Sequence, residues 1–160
     1  MNHSGPPPLG RQLAATAKVT RAEFDARLGE VGGSLTAFIV LRLASEAPGG
    51  LELSQRQLAE RMGVEAPTMV RHLDRLEKEG LIERRRDARD RRVTRITVTP
   101  AGSRQLGVLR EVSDAMDADI FSVLGAETYA ALAGALDRLH GHMTQLAGER
   151  KSHAHAVLGV

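Results

Sequence analysis

Residues 54–99, SQRQLAERMGVEAPTMVRHLDRLEKEGLIERRRDARDRRVTRITVT, decide the fold. Ser54 followed three residues later by Gln57 predicts a capping box at the start of a short helix. Leu58, Ala59 and Met62 give that helix an apolar face, and Gly63 follows where a left-handed turn is favoured. A second helix starts near Ala66, with Pro67 in its first turn, where a missing N–H costs nothing. Val70, Leu73 and Leu76 are expected to face the core, with Thr68, Arg71, His72 and Arg75 on the other side. Gly80 ends this helix. Strand-like alternation then predicts β-strands at 81–86 and 93–99 around a tip at 87–92. Helix, tight turn, helix and β-ribbon make a winged helix-turn-helix.

Charge is concentrated in this stretch. Residues 66–95 hold ten Lys/Arg against six Asp/Glu, a local excess of +4, while the whole chain carries +2. Six of the nine residues 84–92 are arginine. A basic patch confined to one segment suits a phosphate-facing surface. Aromatic residues are 2% of the chain, too few for single-strand recognition by base stacking. There is no cysteine, which excludes disulfides and thiolate metal sites. No apolar run reaches the roughly 20 residues of a membrane span, and residues 1–12 lack the apolar centre of a signal peptide. A cytoplasmic location is compatible with both observations.

Working outward, Leu9, Leu13, Ala17, Phe24, Leu28 and Val31 recur at helical spacing and predict a first helix over 9–31, broken by Gly32 and Gly33. Thr36 is expected to cap a second helix, with Leu35 and Val40 as a hydrophobic staple and Phe38, Leu41 and Ala44 facing inward. That helix stops near Pro48. Residues 51–53 have the length of a small strand that could pair with the wing. Thr99 and Pro100 signal another helix start. A long helix to about residue 124 carries Leu106, Leu109, Val112, Met116 and Ile120 on one stripe. A last helix carries Tyr129, Leu132, Leu136, Leu139, Met143 and Leu146. Such a stripe must be buried, and a winged helix is too small to cover it together with the first helix. A second copy of the chain is the expected cover, which predicts a two-fold homodimer.

The fold class expected is therefore mainly α with a small β-wing: a winged helix-turn-helix plus N- and C-terminal dimerisation helices. The divisions are a disordered leader (1–8), an N-terminal dimerisation helix (9–33), a DNA-binding domain (34–99), C-terminal dimerisation helices (100–148) and a tail (149–160).

Residues 35–102 resemble the MarR family of bacterial transcription regulators, and look closest to its SlyA branch. The resemblance is carried by Leu35 and Thr36, by Gln57-Leu58-Ala59 and by the LDRLEKEGLI block at 73–82. It continues through the DARDRR wing at 87–92 and the VTPAG exit at 98–102. It implies a homodimer that binds pseudo-palindromic double-stranded DNA, commonly as a repressor. A helix would enter the major groove and the wing an adjacent minor groove. The family's Asp-x-Arg wing motif falls on Asp90 and Arg92, so Arg92 would insert into the minor groove while Asp90 orients it. A narrow minor groove attracts guanidinium. Arg71 and Arg75 would meet phosphates or guanine edges, and Thr68 and Ser54 phosphate or base edges. Arg85, Arg86, Arg89 and Arg91 would add electrostatic attraction. His72 would touch a phosphate or nothing. Val70 departs from the family's usual polar residue, so no base contact falls there.

Many relatives also bind small aromatic acids between the dimer helices and the winged domain. By resemblance, Phe38 and Arg42 would line such an effector site. No catalytic residues are expected, since neither a Gly-rich phosphate loop nor a nucleophile elbow occurs, and no cofactor is implied. His140, His142, His153 and His155 gather near the C-terminus. A metal-responsive regulator is conceivable from them, but an exposed helix end and tail is the plainer account, and no metal site is assigned. A winged helix that binds protein instead of DNA is the remaining alternative, disfavoured by the arginine-rich tip.

Overall fold

The computed structural model describes residues 8–47 and 52–158, with side chains through residue 150. Within that span lie α1 (Leu9–Glu30), α2 (Leu35–Ser45), α3 (Gln55–Met62), α4 (Ala66–Lys78), β1 (Ile82–Arg86), β2 (Thr94–Val98) and α5 (Pro100–Leu158). The chain divides into two units, Met1–Asp114 and Ala115–Val160. Residues 1–7 of the leader expected over 1–8, the helix stop expected near Pro48 and the residues Leu51, His153 and His155 lie outside the described residues or side chains.

In the first unit α1–α4 and the start of α5 enclose one core. Leu28, Val40, Leu41, Leu58, Met69, Leu73 and Leu109 are fully buried there. Ile82 and Ile96 close it from the wing side. The strands pair antiparallel, with Arg84 opposite Ile96 and Arg86 opposite Thr94. The small strand expected at 51–53 is reduced to a single bridge, Ser54 to Arg95, beside an Ile96 N–H that donates to the Leu53 carbonyl at 3.0 Å.

Two expectations about helix phase need correction. Helix α2 is capped by Ser34, whose extended backbone lets its hydroxyl accept the Ala37 N–H at 3.1 Å. The Asp25 carboxylate, reaching across from α1, takes the Leu35 N–H at 2.8 Å. With the start so fixed, Thr36 lies inside the helix, and Val40 turns into the core instead of stapling Leu35. In α4 it is Met69, not Val70, that joins Leu73 and Leu76 in the core. Positions 69, 73 and 76 follow the i, i+4, i+7 stripe, while Val70 sits about 100° further round and is half-buried.

Local chemistry explains the joints. Ser54 and Gln57 form the reciprocal capping box, at 2.9 and 3.1 Å. Gly63 adopts φ 64, the left-handed turn that lets α3 hand over to α4. At the exit from the wing, the Thr99 hydroxyl accepts the Gly102 N–H at 3.0 Å and donates to the Gly80 carbonyl at 2.7 Å. The cap of α5 is thereby bonded to the turn that ends α4.

In the second unit the helix is interrupted at Gly125 (φ 71, ψ 164), as the break expected after residue 124 requires. Phe121 and Tyr129 meet edge to face across this break, centroids 5.6 Å apart. Beyond it Leu132, Leu136, Met143 and Leu146 remain exposed. Among the described residues no single helix is long and apolar enough to cross a membrane.

Candidate nucleic-acid interface

The wing tip is a turn built by two aspartates. Asp87 follows β1, and one of its carboxylate oxygens accepts the Arg89 and Asp90 N–H groups at 2.8 and 3.1 Å. The other accepts Arg95 Nε–H at 2.7 Å. The Arg95 hydrogen bond and those two N–H groups hold the Asp87 pKa down at about 2. Arg95 also donates to the Glu52 carbonyl at 3.0 Å, joining the wing to the chain just ahead of α3.

Asp90 adds a further backbone contact to the turn. Its carboxylate accepts the Arg92 backbone N–H at 2.9 Å, which turns the chain there. Among the described residues it forms no ion pair with the Arg92 guanidinium. Asp90 thus bonds the backbone of Arg92 and not its side chain, and most of the turn is held by Asp87, which the sequence reading did not single out. A signal was present: Asp is a residue that bonds N–H groups two and three positions ahead.

The arginines separate into four kinds. Arg89, Arg91 and Arg92 are exposed, and among the described residues their guanidinium groups have no partner. Arg86 Nη1 donates to the Arg91 carbonyl and to Thr94 Oγ1, at 3.4 and 3.3 Å, so it braces the loop while exposed. Arg85 is paired with Glu83 on the same strand face, which lowers its net positive field. Arg84, absent from the expected contacts, is engaged by two carboxylates of α4.

On α4, Arg71 and Arg75 are exposed, while Thr68 and His72 are half-buried. Arg71 Nη2 donates to Thr68 Oγ1 at 3.3 Å. Arg75 pairs with Glu79 one turn on, at 2.8 Å, an exposed pair that a competing phosphate can open at small cost. Ser54 alone among the expected contacts is buried, and its hydroxyl oxygen already serves the cap. His72 and Arg75 line a cavity of about 160 Å³ beside Gly33 and Ser34.

Phe38 is a core residue, 6% exposed, packed edge to face on Phe24 at 6.1 Å. The exposed Arg42 guanidinium stands 5.8 Å from its ring centroid. Neither lines the cavity beside α4. Among the described residues no three His, Asp or Glu side chains converge as metal ligands would.

Two helices meeting at a left-handed turn, followed by a two-stranded β-wing, define the chain as a winged-helix protein. Residues 34–94 match the MarR family model. Solved structures agree. BldR, a transcriptional regulator from Sulfolobus solfataricus, is 28% identical over 84% of this chain and 93% of its own, with a TM-score of 0.74. A Mycobacterium tuberculosis MarR-family protein in complex with DNA is 29% identical over 84% of this chain and 98% of its own, TM-score 0.67. The transcriptional repressor CouR, bound to a 23-mer DNA duplex, is 25% identical over 83% of this chain and 92% of its own, TM-score 0.78. Over its winged-helix segment the chain is therefore similar to the MarR family.

Proposed function

We propose that this protein is a transcription regulator that binds double-stranded DNA as a homodimer. Helix α4 enters a major groove and the tip of the wing reaches the neighbouring minor groove. The observation that carries this reading is that, among the described residues, Arg89, Arg91 and Arg92 have no side-chain partner, at the end of a loop whose backbone is held in place by carboxylates. Three free cations on an ordered tip suit a narrow groove of high negative potential. Two solved relatives are themselves bound to DNA.

Arg92 reads the minor groove, with Asp90 setting its backbone. Arg71, Arg75 and Thr68 contact base edges and phosphates. Arg86, Arg89 and Arg91 add attraction, and Arg85 does so less because of Glu83. Ser54 and His72 contribute at the margin. The second copy covers the exposed Leu132, Leu136, Met143 and Leu146 and the exposed apolar residues of α1, Leu9 and Val19. Repression, a SlyA-like operator preference and a cytoplasmic location belong to the same proposal. So does a small aromatic or phenolic effector near Arg42, acting by preferring one spacing of the two α4 helices.

Light scattering combined with duplex binding at increasing salt tests the central reading. A dimer whose affinity falls steeply with salt is expected, because each phosphate contact releases counterions. A monomer, or affinity that ignores salt, would refute it.

A further inference from the structure

We infer that Arg84 is a positioning residue: it locks the wing onto α4, and so sets sequence selectivity without touching nucleic acid. The inference rests on the DNA-binding reading above and goes beyond it in naming what holds the two reading elements in register.

Arg84 stands in a run of three arginines, and composition does not separate it from Arg85 and Arg86. The structure does. Its side chain is 23% exposed, against 64% for Arg85. Its Nη2 lies 2.6 Å from Asp74 Oδ1 and 2.6 Å from Glu77 Oε2. Its Nε donates to that same Glu77 oxygen at 2.9 Å, and its backbone N–H donates to the other, Oε1, at 3.1 Å. Both Glu77 oxygens are thus taken by one residue of β1. Asp74 and Glu77 are three apart, neighbours on one face of α4.

This arrangement has three consequences. A guanidinium whose donors face two carboxylates is turned away from phosphate. The strand that leads into the tip is fixed to the groove-reading helix at one place, and the partner of Arg84 across the ladder, Ile96, is buried on the same face of the ribbon, so the joint is anchored in the core beside it. A planar fork is also required: lysine supplies the charge but not the paired donors. If α4 and the wing read different grooves, their mutual spacing decides which duplexes fit both, and displacements of a fraction of an ångström matter.

The test uses the full chain. Wild-type protein first selects duplexes from a randomised pool. Affinity is then measured for a selected duplex and for a scrambled one, with wild type, Arg84→Lys and Glu77→Gln. Arg84→Lys keeps the charge and loses the fork. Glu77→Gln weakens the joint while making the protein more positive. The selected-to-scrambled ratio is expected to fall about tenfold in both variants, on the scale of one mismatched base pair. Glu77→Gln should bind the scrambled duplex at least as well as wild type, and its melting temperature should stay close to wild type. Unchanged ratios in both variants overturn the inference. So does an equal loss on both duplexes with a shallower salt slope, which would make Arg84 a phosphate contact. Should Arg84→Lys fold poorly, the Glu77→Gln ratio decides alone. Should wild type select no duplex, the DNA-binding reading itself fails, which the wild-type arm shows by itself.

Discussion

The Asp87 carboxylate accepts the Arg95 Nε–H at 2.7 Å, which closes the wing loop onto its returning strand. The same carboxylate bonds the N–H groups of Arg89 and Asp90, so one side chain organises the approach to the tip. Arg95 extends the linkage to Glu52. The wing is an ordered device whose free cations are the minority of its arginines.

Acid should act on this joint late. The pKa of Asp87 is lowered to about 2 in the folded chain, against about 3.9 for an unperturbed Asp. A carboxylate with a depressed folded pKa contributes stability that is complete above the unfolded value and is lost as pH falls through the folded one. The Asp87 contribution is therefore intact above about pH 4 and disappears between there and about pH 2. Carboxyl-detected NMR should find Asp87 titrating near the bottom of the Asp range, and Arg95→Gln should move it upward. A titration near 3.9 in wild type would contradict the bonding described.

Arg92 and Arg89 are both exposed tip arginines, yet different effects are expected. Arg92→Ala should weaken binding to a selected duplex about tenfold or more, as loss of a groove contact does. Arg89→Ala should lower affinity for all duplexes alike and reduce the salt slope by about one. Electrophoretic mobility shifts at several salt concentrations distinguish them. Wild-type affinity in Arg92→Ala at physiological salt would remove Arg92 from the interface.

Gly102 sits where α5 passes the end of the α4 turn. A Cβ there would stand 2.0 Å from the Leu81 carbonyl oxygen and 2.8 Å from Val98 Cγ1. The nearer obstacle is backbone and cannot swing aside. Alanine is ordinarily favoured over glycine in a helix by about 1 kcal/mol. Here the clash should win, and Gly102→Ala should cost about 1–3 kcal/mol, the usual range for overpacking. Chemical denaturation measures it; a stabilised Gly102→Ala would show that the close approach is absent.

The phase of α4 is open to a direct comparison. Met69 is fully buried and Val70 is not. Met69→Ala should cost about 2–5 kcal/mol, whereas Val70→Ala should cost less than about 1 kcal/mol. Equal losses in denaturation would mean the helix is turned by one position from the orientation described.

Much of this architecture was legible in the chain because its signals are local. Ser54 with Gln57, Gly63, Gly80, and Thr99 before Pro100 each mark a terminus through bonds within a few residues. The Gly125 break follows from one residue's freedom at positive φ. Alternation around residues 87–92 was enough to place a hairpin. The misreadings concerned helix phase, where neighbouring positions offered competing signals and a group elsewhere in the chain contributed to one of them. Asp25 helps to fix the start of α2 from ten residues away, whereas in α4 the i, i+4, i+7 stripe through Leu73 and Leu76 already pointed to Met69 over Val70.

Site chemistry divides along the same line. The sequence by itself determined that a cationic tip follows a helix-turn-helix, since residue type and order suffice for that. Only the tertiary structure decided which arginines are free. A guanidinium is the same group in Arg84, Arg85 and Arg92, and its role depends on which carboxylates the fold brings within hydrogen-bonding distance.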